Sequence, residues 1–215
     1  MTHSLHREGP LALLEKEFVL FIYPARGFNY EGSGPKVRRL LEMLYTQGPV
    51  NLIATSLRQN LYSGVKPEEV LQSVKDGTKV YCVFHDREKV KRTLQRIIEM
   101  DEGISIMVSG MIDRVRELSA ELGLTPHTIN LSLGIHGRTD RLPPPDIRQF
   151  TTMCGHGMVA PGLVRDVLRR VKKGEINFWE GSLILAGPCT CGIYNPERSV
   201  AMLKDLVPLY QRIRF

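Results

Sequence analysis

Short apolar runs alternate with amphipathic stretches over the first two thirds of the chain. Runs that are rich in β-branched and aromatic residues predict strands, because a strand buried on both faces is apolar along its whole length. Five such runs occur, at Phe18–Tyr23, Val50–Thr55, Lys79–Phe84, Ile104–Val108 and Thr128–Ile135. Apolar residues at helical spacing predict helices between them, over about 35–45, 67–74, 111–122 and after Asp86. This alternation predicts an α/β fold, with a mainly parallel sheet of about five strands and flanking helices.

The pattern changes after the fifth predicted strand. The segment Arg138–Pro145 ends in three consecutive prolines, which favour a stiff, extended conformation. Beyond it, apolar residues recur only at helical spacing, and Asn177 and Asn195 stand where helix caps are expected. The sequence therefore predicts an α/β domain over residues 1–142 and a small helical, cysteine-bearing subdomain over 143–215.

Composition and charge narrow the range of partners. The chain has 215 residues and a net charge of +6, which mildly favours anionic partners. Nucleic acid is not expected, because the basic residues of 165–173 are spaced like one solvated helix face. No apolar run approaches the ~20 residues that span a bilayer, and the N-terminus lacks the apolar core of a signal peptide. We therefore expect a cytoplasmic protein with reduced thiols and no membrane partner, and the oligomeric state stays open.

Three of the four cysteines carry the strongest chemical signal. Cys154 lies in the glycine-rich loop Thr152–Pro161 ahead of a predicted helix, where the helix dipole is expected to lower the pKa of a thiol. Cys189 and Cys191 lie in a second loop that opens a helix. If the helices pack side by side, the three sulfurs converge, with His156 or an exogenous group as a fourth ligand. Three thiolates suit an iron–sulfur cluster, including a 4Fe–4S cluster with three cysteine ligands, or zinc.

One of these loops also resembles a known family. The sequence Met153-Cys154-Gly155-His156-Gly157 is similar to the first cysteine motif of the proline racemase family. In that family, two cysteines at helix N-termini deprotonate and reprotonate a substrate carbon. The resemblance is confined to this motif, and it implies that Cys154 is one acid/base and Cys189 the other.

Two polar loops would supply a substrate site, because open α/β sheets bind ligands beyond the carboxyl ends of their strands. Arg26 follows the first predicted strand, and His136, Arg138 and Arg141 follow the fifth. The arginines would bind a carboxylate or phosphate, and His136 would transfer a proton.

The leading hypothesis is a small-molecule enzyme that acts on an anionic substrate through a cysteine-ligated metal centre. The metal ligands would be Cys154, Cys189 and Cys191, with iron–sulfur favoured over zinc, and Cys154, His156 and His136 are the catalytic candidates. Two alternatives remain open. One is a metal-free racemase or isomerase that uses cysteine as acid and base, and the other is a non-catalytic protein that binds a metal, a partner or RNA.

Overall fold

The computed structural model describes residues 6–212, and the chain divides into two compact units. The sheet unit comprises residues 15–128 and 190–193, and the helical unit comprises the rest of the described chain. The strands are β1 (Phe18–Tyr23), β2 (Asn51–Ala54), β3 (Val80–Phe84) and β4 (Ser105–Ser109). The helices are α1 (Leu11–Leu14), α2 (Ser33–Thr46), α3 (Pro67–Ser73), α4 (Arg87–Met100), α5 (Ile112–Glu121), α6 (Pro145–Thr151), α7 (Pro161–Lys172), α8 (Phe178–Ala186) and α9 (Pro196–Leu206). Across residues 6–212, no helix has the length and apolar character that a membrane crossing requires.

The sheet is antiparallel, so the predicted mainly parallel sheet of five strands is wrong. Four strands lie in the order β2-β3-β1-β4, and each of the three pairings is antiparallel. Helix α2 does connect two strands that run in the same direction, β1 and β2, but β3 lies between them. In the same way α4 connects β3 to β4, and β1 lies between those two. This is the split β-α-β arrangement, in which strands joined through a helix are not neighbours.

The fifth predicted strand is also wrong. Residues 128–135 form no strand, and every residue from 123 to 142 is exposed. The alternating pattern of Ile129, Leu131, Leu133 and Ile135 suits a pleated strand, but strand formation depends on packing against neighbouring strands. The described chain provides no such neighbour for this segment, so its pattern does not produce a strand.

The core of the sheet unit lies between the sheet and its helices. Alternate strand residues such as Leu20, Leu52 and Cys82 belong to this core. They share it with apolar helix residues such as Leu41 of α2 and Val90 of α4. Cys82 is fully buried there. Cys82 is therefore a core residue, and its burial raises the pKa of its thiol.

The helical unit holds Cys154 and Cys189 near the ends of packed helices. Helix α6 packs on α7, α7 on α8, and α8 on α9. A reciprocal capping box between Asn177 and Glu180 begins α8, and the Asn195 side chain accepts a hydrogen bond from the N–H of Arg198 to begin α9. Both caps confirm the sequence prediction. Cys154 therefore lies in the α6–α7 loop, and Cys189 lies in the α8–α9 loop.

Candidate thiol site

Cys154 and Cys189 form a buried pair of thiols in the helical unit. A hydrogen bond links the two side chains, although the residues are far apart in sequence. Only 1% of Cys154 and 2% of Cys189 is exposed. None of the four cysteines is in a disulfide. The α6–α7 and α8–α9 loops thus bring together two of the three cysteines that the sequence singled out.

The backbone of the α6–α7 loop folds around the sulfur of Cys154. The N–H groups of His156 and Met158 both donate to this sulfur. The Cys154 carbonyl accepts from the N–H of Gly157 at 2.9 Å, and Gly157 adopts a positive φ of 68°, which glycine tolerates best. Amide donors aimed at a sulfur stabilise its thiolate form, and hydrogen bonds of this kind also tune the sulfur ligands of iron–sulfur clusters.

The pKa of Cys154 is nevertheless raised, which is opposite to the predicted effect of a helix dipole. The neighbouring Cys189 is the largest cause and burial the next, and together they outweigh the two amide donors. Cys154 precedes the first turn of α7, which begins only at Pro161, and the effect of a helix dipole falls off within that turn. Two thiolates in contact would repel one another, so both sulfurs ionise together only if a cation lies against them.

The segment that precedes α1 anchors the loop just before Cys154. The Arg7 guanidinium donates to the carbonyl of Met153 at 3.1 Å. The N–H of Glu8 donates to the Thr152 hydroxyl at 3.0 Å. These bonds reach across more than 140 residues of sequence, and no motif in the N-terminal segment signals them.

The side chain and carbonyl of Glu8 extend this anchor to two helices. Its carboxylate accepts from Arg148 of α6, with the Nε of Arg148 2.9 Å from one oxygen and 3.1 Å from the other. Its backbone carbonyl accepts from Arg198 of α9, whose side chain is fully buried. Glu8 therefore ties together the helices that precede Cys154 and follow Cys189.

Cys191 belongs to the sheet unit. The next residue, Gly192, has a positive φ of 61°, and a Cβ at this position would lie 2.4 Å from Cγ2 of Ile53 in β2. Burial, and after it the nearby Cys191, raise the pKa of Tyr81 in β3. Within residues 6–212, no group of three or more His, Cys, Asp or Glu side chains is arranged to hold a metal ion. The structure thus pairs Cys154 with Cys189 and does not assemble a complete ligand set.

The predicted proton-transfer and substrate residues of the helical unit are exposed. His156 is exposed in the α6–α7 loop, and His136 and Arg141 are exposed in the segment of residues 129–142. Arg138 donates to both oxygens of Asp140, with Nε and one terminal nitrogen 3.0 and 2.8 Å from them. This ion pair occupies two donors of the guanidinium that the sequence assigned to an anion.

Arg26 is also exposed, in the loop that follows β1. Its guanidinium lies 5.5 Å from the centre of the Tyr30 ring, within the range of a cation–π contact. Two backbone N–H groups at the start of α2, near this loop, already have an acceptor. The Asp76 carboxylate accepts from the N–H of Gly32 at 2.8 Å and from the N–H of Gly34 at 2.6 Å. A carboxylate of the chain itself therefore fills the place where an anion would otherwise bind.

No protein-family model matches this chain, and no curated protein and no solved structure is significantly similar to it.

Proposed function

We propose that Cys154 and Cys189 are the core of a cysteine-ligated metal centre in a small-molecule enzyme. The observation that carries this proposal is the direct contact of two buried thiols, one of which also accepts hydrogen bonds from two backbone amides. Paired thiols that are inaccessible to water and surrounded by amide donors suit a thiophilic cation, which would replace both thiol protons on binding.

Cys191 is the proposed third ligand. Only Thr190 separates it from Cys189, so the length of the chain alone keeps the two Cα atoms within about 7 Å. Zinc in structural sites takes four protein ligands, whereas an iron–sulfur cluster brings its own sulfide and needs fewer protein donors per metal ion. With three cysteines available, this difference favours an iron–sulfur cluster over zinc. The anionic substrate, with Arg26, Arg138 and Arg141 as its candidate ligands, remains part of the proposal.

The metal-free racemase or isomerase has less support. Two cysteines that remove and return a proton on opposite faces of a carbon need the substrate between them. The thiols of Cys154 and Cys189 instead contact one another directly. The contact therefore favours a shared cation over a shared substrate carbon.

Anaerobic purification from cells supplied with iron tests the metal centre. We expect a visible absorption band together with stoichiometric iron and sulfide, and both should be lost in Cys154→Ser and Cys189→Ser. Cys82→Ala is the matched control: this thiol is equally buried but lies in the core of the sheet unit, so the variant should keep the metal. Loss of the metal in Cys191→Ser would support a third protein ligand.

Two results separate the alternatives. A colourless protein with stoichiometric zinc, lost in the same variants, would replace iron–sulfur by zinc at the same ligands. A parent protein that contains neither metal, even after anaerobic reconstitution with iron and sulfide or with zinc, would overturn the proposal. Circular dichroism and urea unfolding of each variant distinguish loss of the metal site from loss of the fold.

A further inference from the structure

The two buried thiols can be reached from solvent only if part of the helical unit opens. Only 1% of Cys154 and 2% of Cys189 is exposed, so neither a thiophilic cation nor an alkylating reagent reaches them in the closed fold. Native proteins open locally at a lower free-energy cost than complete unfolding, and the segments that open are those with few buried apolar contacts. The packing of the helical unit therefore indicates where it opens.

The helices of this unit are the costly elements to move. Each of α6–α9 buries apolar side chains completely, for example Phe150 of α6, Val167 of α7, Leu185 of α8 and Leu203 of α9. Displacing one of these helices would expose such side chains to water, which is strongly unfavourable. The helices therefore stay packed during a local opening.

Residues 7–9, which we call the strap, hold the cysteine loop by polar contacts. The strap is half-buried and has no apolar side chain. Arg7 and Glu8 donate one hydrogen bond each, at 3.1 and 3.0 Å, to the two residues that directly precede Cys154. If the strap moves away, these groups bond to water instead. Its opening therefore exposes little apolar surface.

Opening of the strap also hydrates a buried charge. The side chain of Arg198 is fully buried, and its guanidinium donates to the carbonyl of Glu8. Gly9 lies directly against this guanidinium, since a Cβ at Gly9 would overlap a terminal nitrogen of Arg198. Burial of a charged group is costly, so the return of water to Arg198 offsets part of the cost of the lost hydrogen bonds.

We propose that the strap gates access to the pair formed by Cys154 and Cys189. It moves away while α6–α9 stay packed, and this opening admits the ligand of the two thiols. That ligand is the thiophilic cation of the proposed function, and to this extent the inference rests on it. The gate itself is a property of the metal-free protein, so a protein that binds no metal would still show it.

Alkylation of the reduced, chelator-treated protein with iodoacetamide measures the opening at each thiol. Tandem mass spectrometry of the peptides gives separate rates for Cys154, Cys189 and Cys82. Arg7→Ala removes one charge-assisted hydrogen bond of the strap and should raise the rates at Cys154 and Cys189 about 10-fold. Cys82 lies in the core of the sheet unit and should keep its parent rate.

Gly9→Ala is a second strap variant, which removes no hydrogen-bond donor. Gly9 has a φ of 146°, and the new methyl group would overlap Arg198, so the strap should be displaced and the rates at both thiols should rise. Val167→Ala is the matched control in the same unit. It leaves a cavity between α7 and α8, because a Cβ at Gly181 would lie 2.9 Å from Cγ1 of Val167. It should lower stability without changing either rate.

Urea distinguishes the gate from unfolding of the whole unit. Movement of three polar residues exposes little surface, so the alkylation rate of Cys154 should stay nearly constant in urea below the unfolding transition. Three results would each overturn the proposal: parent rates at both thiols in Arg7→Ala and Gly9→Ala, an equal acceleration by Val167→Ala, or a rate that rises with urea as steeply as global unfolding does. Because the strap forms no helix or strand, its two variants should keep the far-ultraviolet circular dichroism of the parent.

Discussion

A methyl group added at Gly192 should destabilise the sheet unit strongly. Gly192 follows Cys191 and has a φ of 61°, a conformation that disfavours any residue with a Cβ. A Cβ built at this position would lie 2.4 Å from Cγ2 of Ile53, closer than non-bonded carbons approach, and 3.3 Å from its Cβ, which is a tight contact. The variant Gly192→Ala therefore combines backbone strain with overpacking against β2.

The size of the effect follows from these two contributions. The left-handed conformation costs about 1–2 kcal/mol for alanine relative to glycine. Overpacking in a closely packed region costs about 1–3 kcal/mol, because Ile53 is nearly fully buried and has little room to move. The free energy of unfolding should therefore fall by about 2–5 kcal/mol, which is a large part of the stability of an ordinary domain.

Urea unfolding followed by circular dichroism measures this change, and Gly103→Ala is the matched control. Gly103 lies in the same unit with a φ of 65°, but a Cβ there would meet nothing within 4 Å. Gly103→Ala should therefore lose only the backbone contribution, about 1–2 kcal/mol. In the double variant with Ile53→Ala, the smaller side chain leaves space for the new methyl group. The two changes together should then cost less than the sum of their separate effects.

Equal loss of stability in Gly192→Ala and Gly103→Ala would refute the steric part of this reasoning. So would strict additivity with Ile53→Ala, because it would mean that residues 53 and 192 do not contact one another.

Two further predictions concern charged residues. Glu8→Gln removes the ion pair with Arg148, which is about three quarters buried, and should lower the free energy of unfolding by about 0.5–1 kcal/mol in urea titrations. Asp140→Asn is the control, because it removes an exposed ion pair and should leave the midpoint of urea unfolding unchanged. If both variants lost equal stability, the role of Glu8 in anchoring the helical unit would be contradicted. The Asp76 carboxylate has a lowered pKa because the N–H groups of Gly34 and then of Gly32 donate to it. Its stabilising effect is therefore complete above its unfolded pKa of about 3.9 and is lost as the pH falls through the lower folded value. Asp76→Asn should be less stable than the parent at pH 7, and this difference should shrink below about pH 4. A difference that stays constant down to pH 2 would exclude the carboxylate as the cause.

Most of the longer helices and two of their caps follow from the sequence because local contacts determine them, whereas the short helices α1 and α6 were not predicted. The capping box of Asn177 and Glu180 joins residues three apart, and Asn195 caps α9 in the same way. The four apolar runs that became strands were also identified from the sequence. The pairing of those strands was not, because a strand–helix–strand pattern is the same whether the two strands are neighbours or a third strand lies between them.

The candidate site was also predicted only in part, because the sequence indicates its residues but not their contacts. The loop composition around Cys154 and Cys189 identified both residues as candidates. Their direct contact, and with it the raised pKa of Cys154, depends on the packing of α6–α9 and reverses the effect predicted from the helix dipole. The anchor formed by Arg7 and Glu8 has no signature in the sequence, because each bond joins residues more than 140 positions apart.

Residues 129–135 show the same difference between what the sequence predicts and what the tertiary structure decides. Its alternating apolar residues predict a strand with one apolar face, but the structure forms no strand there. Whether it becomes a strand depends on a partner, because every strand hydrogen bond joins it to a different segment. The sequence by itself thus determined two helix caps, the apolar runs that become strands, and which residues are candidates for chemistry. The tertiary structure decides which strands pair, which thiols meet and in which direction their pKa moves, because those properties depend on groups that only folding brings together.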